Sequence, residues 1–137
     1  WKQVYKYVYK YDDKGIKTEE IGYNSDNALF NKGIYNYENG NITEECRYDE
    51  NKSLFGKFIF HYDSSGNITE EIKYDGTGAC KNKFVNTYNK AGEKTEEKNY
   101  LADGTFAFRN IFTYNDKGNL TEVCSYKEDE ISGKKII

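Results

Sequence analysis

The stretch Tyr62-Asp63-Ser64-Ser65-Gly66-Asn67-Ile68-Thr69-Glu70-Glu71-Ile72-Lys73-Tyr74 decides the architecture. Its first half has the composition of a type I turn followed by a residue at positive φ, where glycine costs least. Its second half is threonine, isoleucine and tyrosine on a polar background, which suits a strand with one wet face. The phrase recurs. Tyr11, Tyr37, Tyr62, Tyr88 and Tyr114 each open a copy, Gly15, Gly40, Gly66, Gly92 and Gly118 follow at spacings of 25, 26, 26 and 26, and Thr18, Thr43, Thr69, Thr95 and Thr121 keep step. A second tyrosine closes each copy: Tyr23, Tyr48, Tyr74, Tyr100 and Tyr126. Such a period within one chain means that one supersecondary unit is being reused.

Working outward, Tyr74-Asp75-Gly76-Thr77-Gly78 is a second turn and Lys83-Phe84-Val85-Asn86-Thr87-Tyr88 a second strand, so each repeat is a hairpin. No segment shows convincing helical spacing. The expected fold is all-β: an antiparallel meander of about ten strands made of five 26-residue hairpin repeats, in one coiled sheet or partly open roll. It would begin with a strand near Lys2 to Lys10 and close with a ragged strand near Lys134 to Ile137, residues 1–137 forming a single domain.

Composition agrees with a thin, wet sheet. Of 137 residues, 36% are hydrophobic and 31% charged, and the mean hydropathy is -0.97, so a large apolar core is excluded. The apolar mass is aromatic, 14 Tyr, 8 Phe and 1 Trp, and tyrosine packs its ring while its hydroxyl stays hydrated. No apolar run approaches the roughly 20 residues of a membrane helix, which disfavours membrane insertion. A net charge of -3 gives no electrostatic footprint for nucleic acid. A chain opening at Trp1 and lacking Met reads as a processed or truncated piece, whose leader or anchor would fall outside it.

Three-residue loops pairing Asp63 with Asn67 and Asp75 with Ala79 place Lys83 opposite Glu71. The same rule sets Lys32 against Glu20, Lys57 against Glu45 and Arg109 against Glu97, an opposite-charge ladder that chooses register more than it supplies stability. Period-two alternation then gives two faces. One carries this ladder, the threonines, Val8, Ile34, Ile59, Val85 and Ile111. The other, expected to be the inward one, carries Tyr9, Tyr35, Phe58, Phe60, Phe84, Phe112 and the closing tyrosines, with Glu19, Glu44, Glu70, Glu96 and Glu122 among few cations.

The phrases Tyr62-Asp63-Ser64-Ser65-Gly66-Asn67-Ile68-Thr69 and Tyr114-Asn115-Asp116-Lys117-Gly118-Asn119-Leu120-Thr121 resemble the tyrosine-aspartate repeat of the RHS family. That resemblance implies a bacterial surface or secreted protein whose repeats form long β-strips, and hence an extracytoplasmic location. A weaker one is to the MORN-like hairpin repeats of the YwqK-type antitoxins. Neither implies catalytic residues.

Candidate chemistry is sparse. His61 lies on a strand with no nucleophile beside it, and a partly exposed strand residue is the default reading. Cys46, Cys80 and Cys124 read as small core-facing thiols; six strands at about 4.8 Å hold Cys46 and Cys124 beyond disulfide reach in a flat sheet, unless closure of the sheet brings them together. No cysteine or histidine cluster points to a metal, and no motif to a cofactor or an enzyme. Asn41-Ile42-Thr43, Asn67-Ile68-Thr69 and Asn119-Leu120-Thr121 match the glycosylation pattern but fall at the repeated turn exit. The sharper constellation is Glu44, Glu70 and Glu96 with Tyr48, Tyr74 and Tyr100. Equivalent carboxylates about 9.6 Å apart are too far apart to share one calcium ion and suit repeated contact with a polymer. The expected function is a non-catalytic scaffold or interaction module, with a carbohydrate-binding face as alternative and a toxin-immunity partner acting by edge-strand pairing as the third. Its partner would be a protein or a polysaccharide, and its unpaired edges admit a homodimer.

Overall fold

The computed structural model describes residues 4–127. Ten strands run in chain order: β1 (Tyr5–Tyr11), β2 (Lys17–Asn24), β3 (Leu29–Glu38), β4 (Asn41–Tyr48), β5 (Leu54–Tyr62), β6 (Ile68–Asp75), β7 (Cys80–Tyr88), β8 (Lys94–Leu101), β9 (Phe106–Tyr114) and β10 (Leu120–Tyr126). They form one antiparallel sheet in sequential order, without helices among the described residues and not closed into a barrel. The meander expected from the period is therefore the fold. The strand anticipated near Lys134 to Ile137 lies outside the described residues. Contacts group the chain into two compact units, Trp1–Ile59 with Lys73–Ala79, and Phe60–Ile72 with Cys80–Ile137.

The turns follow from their leading residue. Asp12, Asn24, Asp49, Asp63, Asp75, Asn89 and Asn115 each accept, on Oδ1, the backbone N–H groups of the residues two and four positions on. A short side-chain acceptor thus stands in for backbone, which is why the tyrosine is followed by Asp or Asn. The Asp63 carboxylate, which also accepts from Asn67 Nδ2, is held below its usual range chiefly by that bond. Gly66 closes this turn at φ 85, a conformation costly for a residue with a Cβ. The loops pair as expected, Asp63 N–H to Asn67 O and Asp75 N–H to Ala79 O. One differs: β3 and β4 are joined by Asn39-Gly40, both at positive φ, a two-residue type I′ turn. It is one residue shorter than its counterparts, which accounts for the single spacing of 25.

Beyond the turn the expected register fails, for one local reason. In each of the seven hairpins whose register is described, the second strand carries an extra, unpaired residue directly after its first strand pair, or after its second in the β3–β4 hairpin. That residue is Thr18, Thr43, Thr95 or Thr121 on the strands that follow Tyr11, Tyr37, Tyr88 and Tyr114, and Phe30, Phe55 or Ala107 on those that follow Tyr23, Tyr48 and Tyr100. The threonines use the bulge: Thr121 donates to Thr113 O at 3.0 Å, and Thr18, Thr43, Thr69 and Thr95 make the equivalent bond at 3.3–3.4 Å. One inserted residue exchanges the faces of everything beyond it on that strand. Lys32 therefore faces Ile21 and not Glu20, Lys57 faces Cys46 and not Glu45, and Arg109 faces Lys98 and not Glu97.

Equivalent positions do not line up straight across the sheet. Ile34 faces Glu19 on one side and Cys46 on the other, and Cys46 stands one repeat on from Ile21. Like residues thus step by two positions, about 7 Å, at each repeat. Ile111, between Glu96 and Cys124, shows the same step in the second unit.

No apolar side chain among the described residues is buried; the buried polar ones are Asn86 and Asn99. The expectation of an inward aromatic face is corrected accordingly. A single sheet has no second layer to cover it, and its rings are half exposed or exposed, as at Tyr7, Tyr9, Phe30 and Phe55.

Candidate functional site

The bulges rebuild the charged ladder with the other glutamate of each pair. Lys32 Nζ lies 3.1 Å from Glu19, Lys83 Nζ 3.0 Å from Glu70 and Arg109 Nη1 3.6 Å from Glu96, and Lys57 pairs with Glu44. Where the register is described these are diagonal neighbours: Lys32 faces Ile21 while Glu19 faces Ile34, two residues along. Lys10 adds a second bond to Glu19 at 3.1 Å, and His61 Nε2 lies 3.5 Å from Glu70. Four of the five glutamates assigned few cationic neighbours, Glu19, Glu44, Glu70 and Glu96, are thus the neutralised ones. Their lysine hydrogen bonds hold Glu19 and Glu44 below the usual carboxylate range, and the bond to Glu70 raises Lys83. The expected pairings Glu20–Lys32, Glu45–Lys57, Glu71–Lys83 and Glu97–Arg109 are replaced. Glu20, Glu45 and Glu97 instead bond Lys17 at 2.9 Å, Arg47 at 2.7 Å and Lys94 at 2.8 Å on the opposite face.

The residues singled out as a polymer-binding face keep their relative positions on their strands. Glu44 and Tyr48 lie on β4, Glu70 and Tyr74 on β6, Glu96 and Tyr100 on β8, in each case four residues apart and so on one side of the strand. What changes is their company. This side also presents Lys32, Lys57, Lys83 and Arg109, each glutamate has a cation, and Lys83 lies 5.7 Å over the Tyr100 ring. The two-residue step widens the spacing of equivalent carboxylates from about 9.6 Å to about 12 Å. The surface is a mixed-charge lattice with tyrosines, not an acidic row. Tyr35, Phe58 and Phe112 belong to the other face, under Lys17 at 4.6 Å, Arg47 at 4.9 Å and Lys94 at 5.5 Å respectively.

The cysteines are free and half exposed, Cys46 and Cys124 on the ladder side, and none is a core thiol. Cys46 lies 3.6 Å from Glu44, and burial, then that carboxylate, push its thiol pKa up, so it is a poor nucleophile. Asn67 sits at its turn exit, its amide bonded to Asp63. Among the described residues no cluster of His, Cys, Asp and Glu could hold a metal ion, and no helix is long and apolar enough to cross a membrane.

No protein-family model matches the chain, and no curated protein does. Solved structures do. The "Photorhabdus luminescens Tc holotoxin pore" superposes with a TM-score of 0.64 at 14% identity, over 92% of this chain and 7% of that one. The structure of TcdB2-TccC3-TEV gives 0.65 at 14%, over 92% and 7%. A porin-like protein from Bacteroides uniformis gives 0.54 at 16%, over 90% and 49%. The likeness is one of fold. This chain spans a small fraction of the Tc toxin chains and about half of the porin-like one.

Proposed function

We propose that the chain is a non-catalytic β-repeat scaffold, an interaction module of a bacterial surface or secreted protein. The observation that carries this reading is the ten-stranded sheet with no buried apolar side chain among its described residues. Such a sheet encloses nothing. It offers two solvated faces and two outer strands, β1 and β10, to a protein partner or to a further copy of itself. Its ion pairs, at the surface, contribute at most about 1 kcal/mol each and serve to fix register. The fold likeness to short stretches of much longer Tc toxin chains supports a structural element over a self-contained machine.

Sedimentation velocity across a concentration series tests the reading together with a polysaccharide array. Association that strengthens with concentration, and weakens when Val8→Lys adds a charge to the outer strand β1, supports the scaffold. A chain that stays monomeric throughout and retains a polysaccharide, with retention lost in Glu44→Ala and Tyr48→Ala, replaces it with a carbohydrate-binding ladder face.

A further inference from the structure

The charged ladder has two unfilled places, one on each outer strand. Lys32, Lys57, Lys83 and Arg109 stand one period apart, and each reaches to the glutamate of the strand before it, Glu19, Glu44, Glu70 or Glu96. Lys6 on β1 is the same residue one period earlier. It lies 5.2 Å over the Tyr23 ring, as Lys83 lies 5.7 Å over Tyr100 and Arg109 5.3 Å over Tyr126, so it holds the geometry of the row. Among the described residues no carboxylate bonds it. Glu122 on β10 is the fifth glutamate of its own row; it contacts the Cys124 thiol at 3.2 Å, and no cation among the described residues. Lys6 and Glu122 are both exposed, whereas their paired counterparts are half-buried.

The opposite face departs from the repeat in the same two strands. Glu20, Glu45, Glu71 and Glu97 hold one position in the first four copies, and the fifth has an exposed valine there, Val123. On β1, Tyr5 and Tyr7 are exposed rings where β3 has Asn31 and Gly33. The joints inside the sheet show how two such strands meet. β8 pairs with β9 through Glu96 and Ile111, Glu97 and Asn110, Lys98 and Arg109, and Asn99 and Phe108. Carried to the outer members of the same two rows, this register sets Glu122 against Val8, Val123 against Tyr7, Cys124 against Lys6 and Ser125 against Tyr5. Val123 then covers Tyr7 on one face, and on the other Glu122 is the diagonal neighbour of Lys6, as Glu96 is of Arg109.

We propose that the chain associates head to tail with a second copy of itself, β10 of one molecule adding to β1 of the next in this register, with Glu122 bonded to Lys6. The inference rests on the scaffold reading and names its partner. Charge and backbone geometry select this occupant over two rivals. The run Tyr5-Lys6-Tyr7-Val8-Tyr9-Lys10-Tyr11 reads alike in both directions, so two β1 strands match about Val8, but that pairing sets Lys6 against Lys10 of the second copy. The chain's own Lys135 stands one period on from Arg109, but a hairpin returning it to β10 would put Glu130 where Asn27, Lys52, Gly78 and Gly104 turn at positive φ, a conformation disfavoured for glutamate. A joint between unlike edges leaves one of each free, so symmetry does not stop the assembly at two copies.

Sedimentation velocity of the full chain tests this, with circular dichroism to check that each variant folds. Lys6→Glu and Glu122→Lys, taken singly, each put like charges at the joint and should weaken association at least about fivefold. An equimolar mixture of the two variants has opposite charges at every joint between unlike molecules, and should associate within about twofold of the unsubstituted chain. Association unaltered in either variant, or strengthened in Lys6→Glu as pairing of two β1 strands requires, overturns the proposal and leaves the scaffold reading in place. So does a mixture no tighter than either variant alone. A chain that is monomeric at every concentration also overturns it, whereas the scaffold reading falls only if that chain retains a polysaccharide as well. Should either variant fail to fold, Lys6→Gln and Glu122→Gln decide: each removes one charge of the pair and should weaken association about threefold.

Discussion

The Lys94–Phe112 step and the Ile68–Asn86 step are the same place one repeat apart. In both, the opening tyrosine of the next turn reaches back across the sheet: Tyr114 donates to Lys94 O at 2.9 Å and Tyr88 to Ile68 O at 2.8 Å. In both, an Asx-led turn and a bulged second strand set the backbone. The filling differs. Lys94 lies over the Phe112 ring and bonds Glu97, so that step is closed by a cation, a ring and a carboxylate. The other has an aliphatic chain and an amide, and the space becomes a groove. The repeat therefore fixes geometry through backbone-directed groups, leaving the residues between the turns free to vary, and distinctive chemistry arises where the filling departs from the pattern.

Exchanging the fillings gives the largest expected effect. Phe112→Asn removes a half-buried ring and its cation contact and should lower stability by about 2 kcal/mol, read from urea denaturation. Asn86→Phe should raise it by up to about 1 kcal/mol, since it covers apolar area and removes an unsatisfied acceptor. Equal and opposite shifts would mean that the two steps are energetically interchangeable, and the groove then carries no structural penalty.

The tyrosine hydroxyls come next. Tyr114→Phe should cost about 1 kcal/mol, the net worth of a hydrogen bond. Tyr88→Phe should cost a few tenths, because Ile68 O keeps the Asn86 amide as a side-chain donor. A Tyr88 variant as damaged as its counterpart would show that the two donors are not redundant.

Acid should distinguish the ladder from the rings. Glu19 and Glu44 are held below their ordinary value of 4.5, so the unfolded chain takes up these protons first. The stability they contribute is fully present above about pH 4.5 and is lost as pH falls through their lower native values. Lys57→Met should flatten that acid limb, whereas Phe112→Asn should lower the whole profile by one amount. Denaturation midpoints between pH 3 and 7, read at intervals of about one unit, check both.

Much of this was legible in the sequence. Tyrosine, Asx and glycine at a fixed period gave the turns and with them the strand count, because each of those residues answers to local backbone geometry. The faces of the second strands were not, and the reason is specific. Glu19-Glu20, Glu44-Glu45, Glu70-Glu71 and Glu96-Glu97 are consecutive, so each cation finds a carboxylate in either register. Charge matching cannot detect a one-residue slip in such a chain. The signal was the threonine itself: a hydroxyl repeated three residues after each turn glycine marks the bulge that Thr121 and its equivalents occupy. The groove left a plainer trace, one Asn in a column of rings, which a reading by faces passes over.

The smallest effect is the most discriminating for register. A double-mutant cycle between Glu70→Ala and Lys83→Ala should return a coupling of about 0.5 kcal/mol, as expected of a part-exposed pair. The cycle between Glu71→Ala and Lys83→Ala should return about zero, since successive residues of β6 project to opposite sides of the sheet. Coupling to Glu71 in place of Glu70 would mean that the second strand runs without its bulge. The Thr69 hydroxyl would then have no reason to meet His61 O, and every ion pair assigned to the ladder would move to the other face.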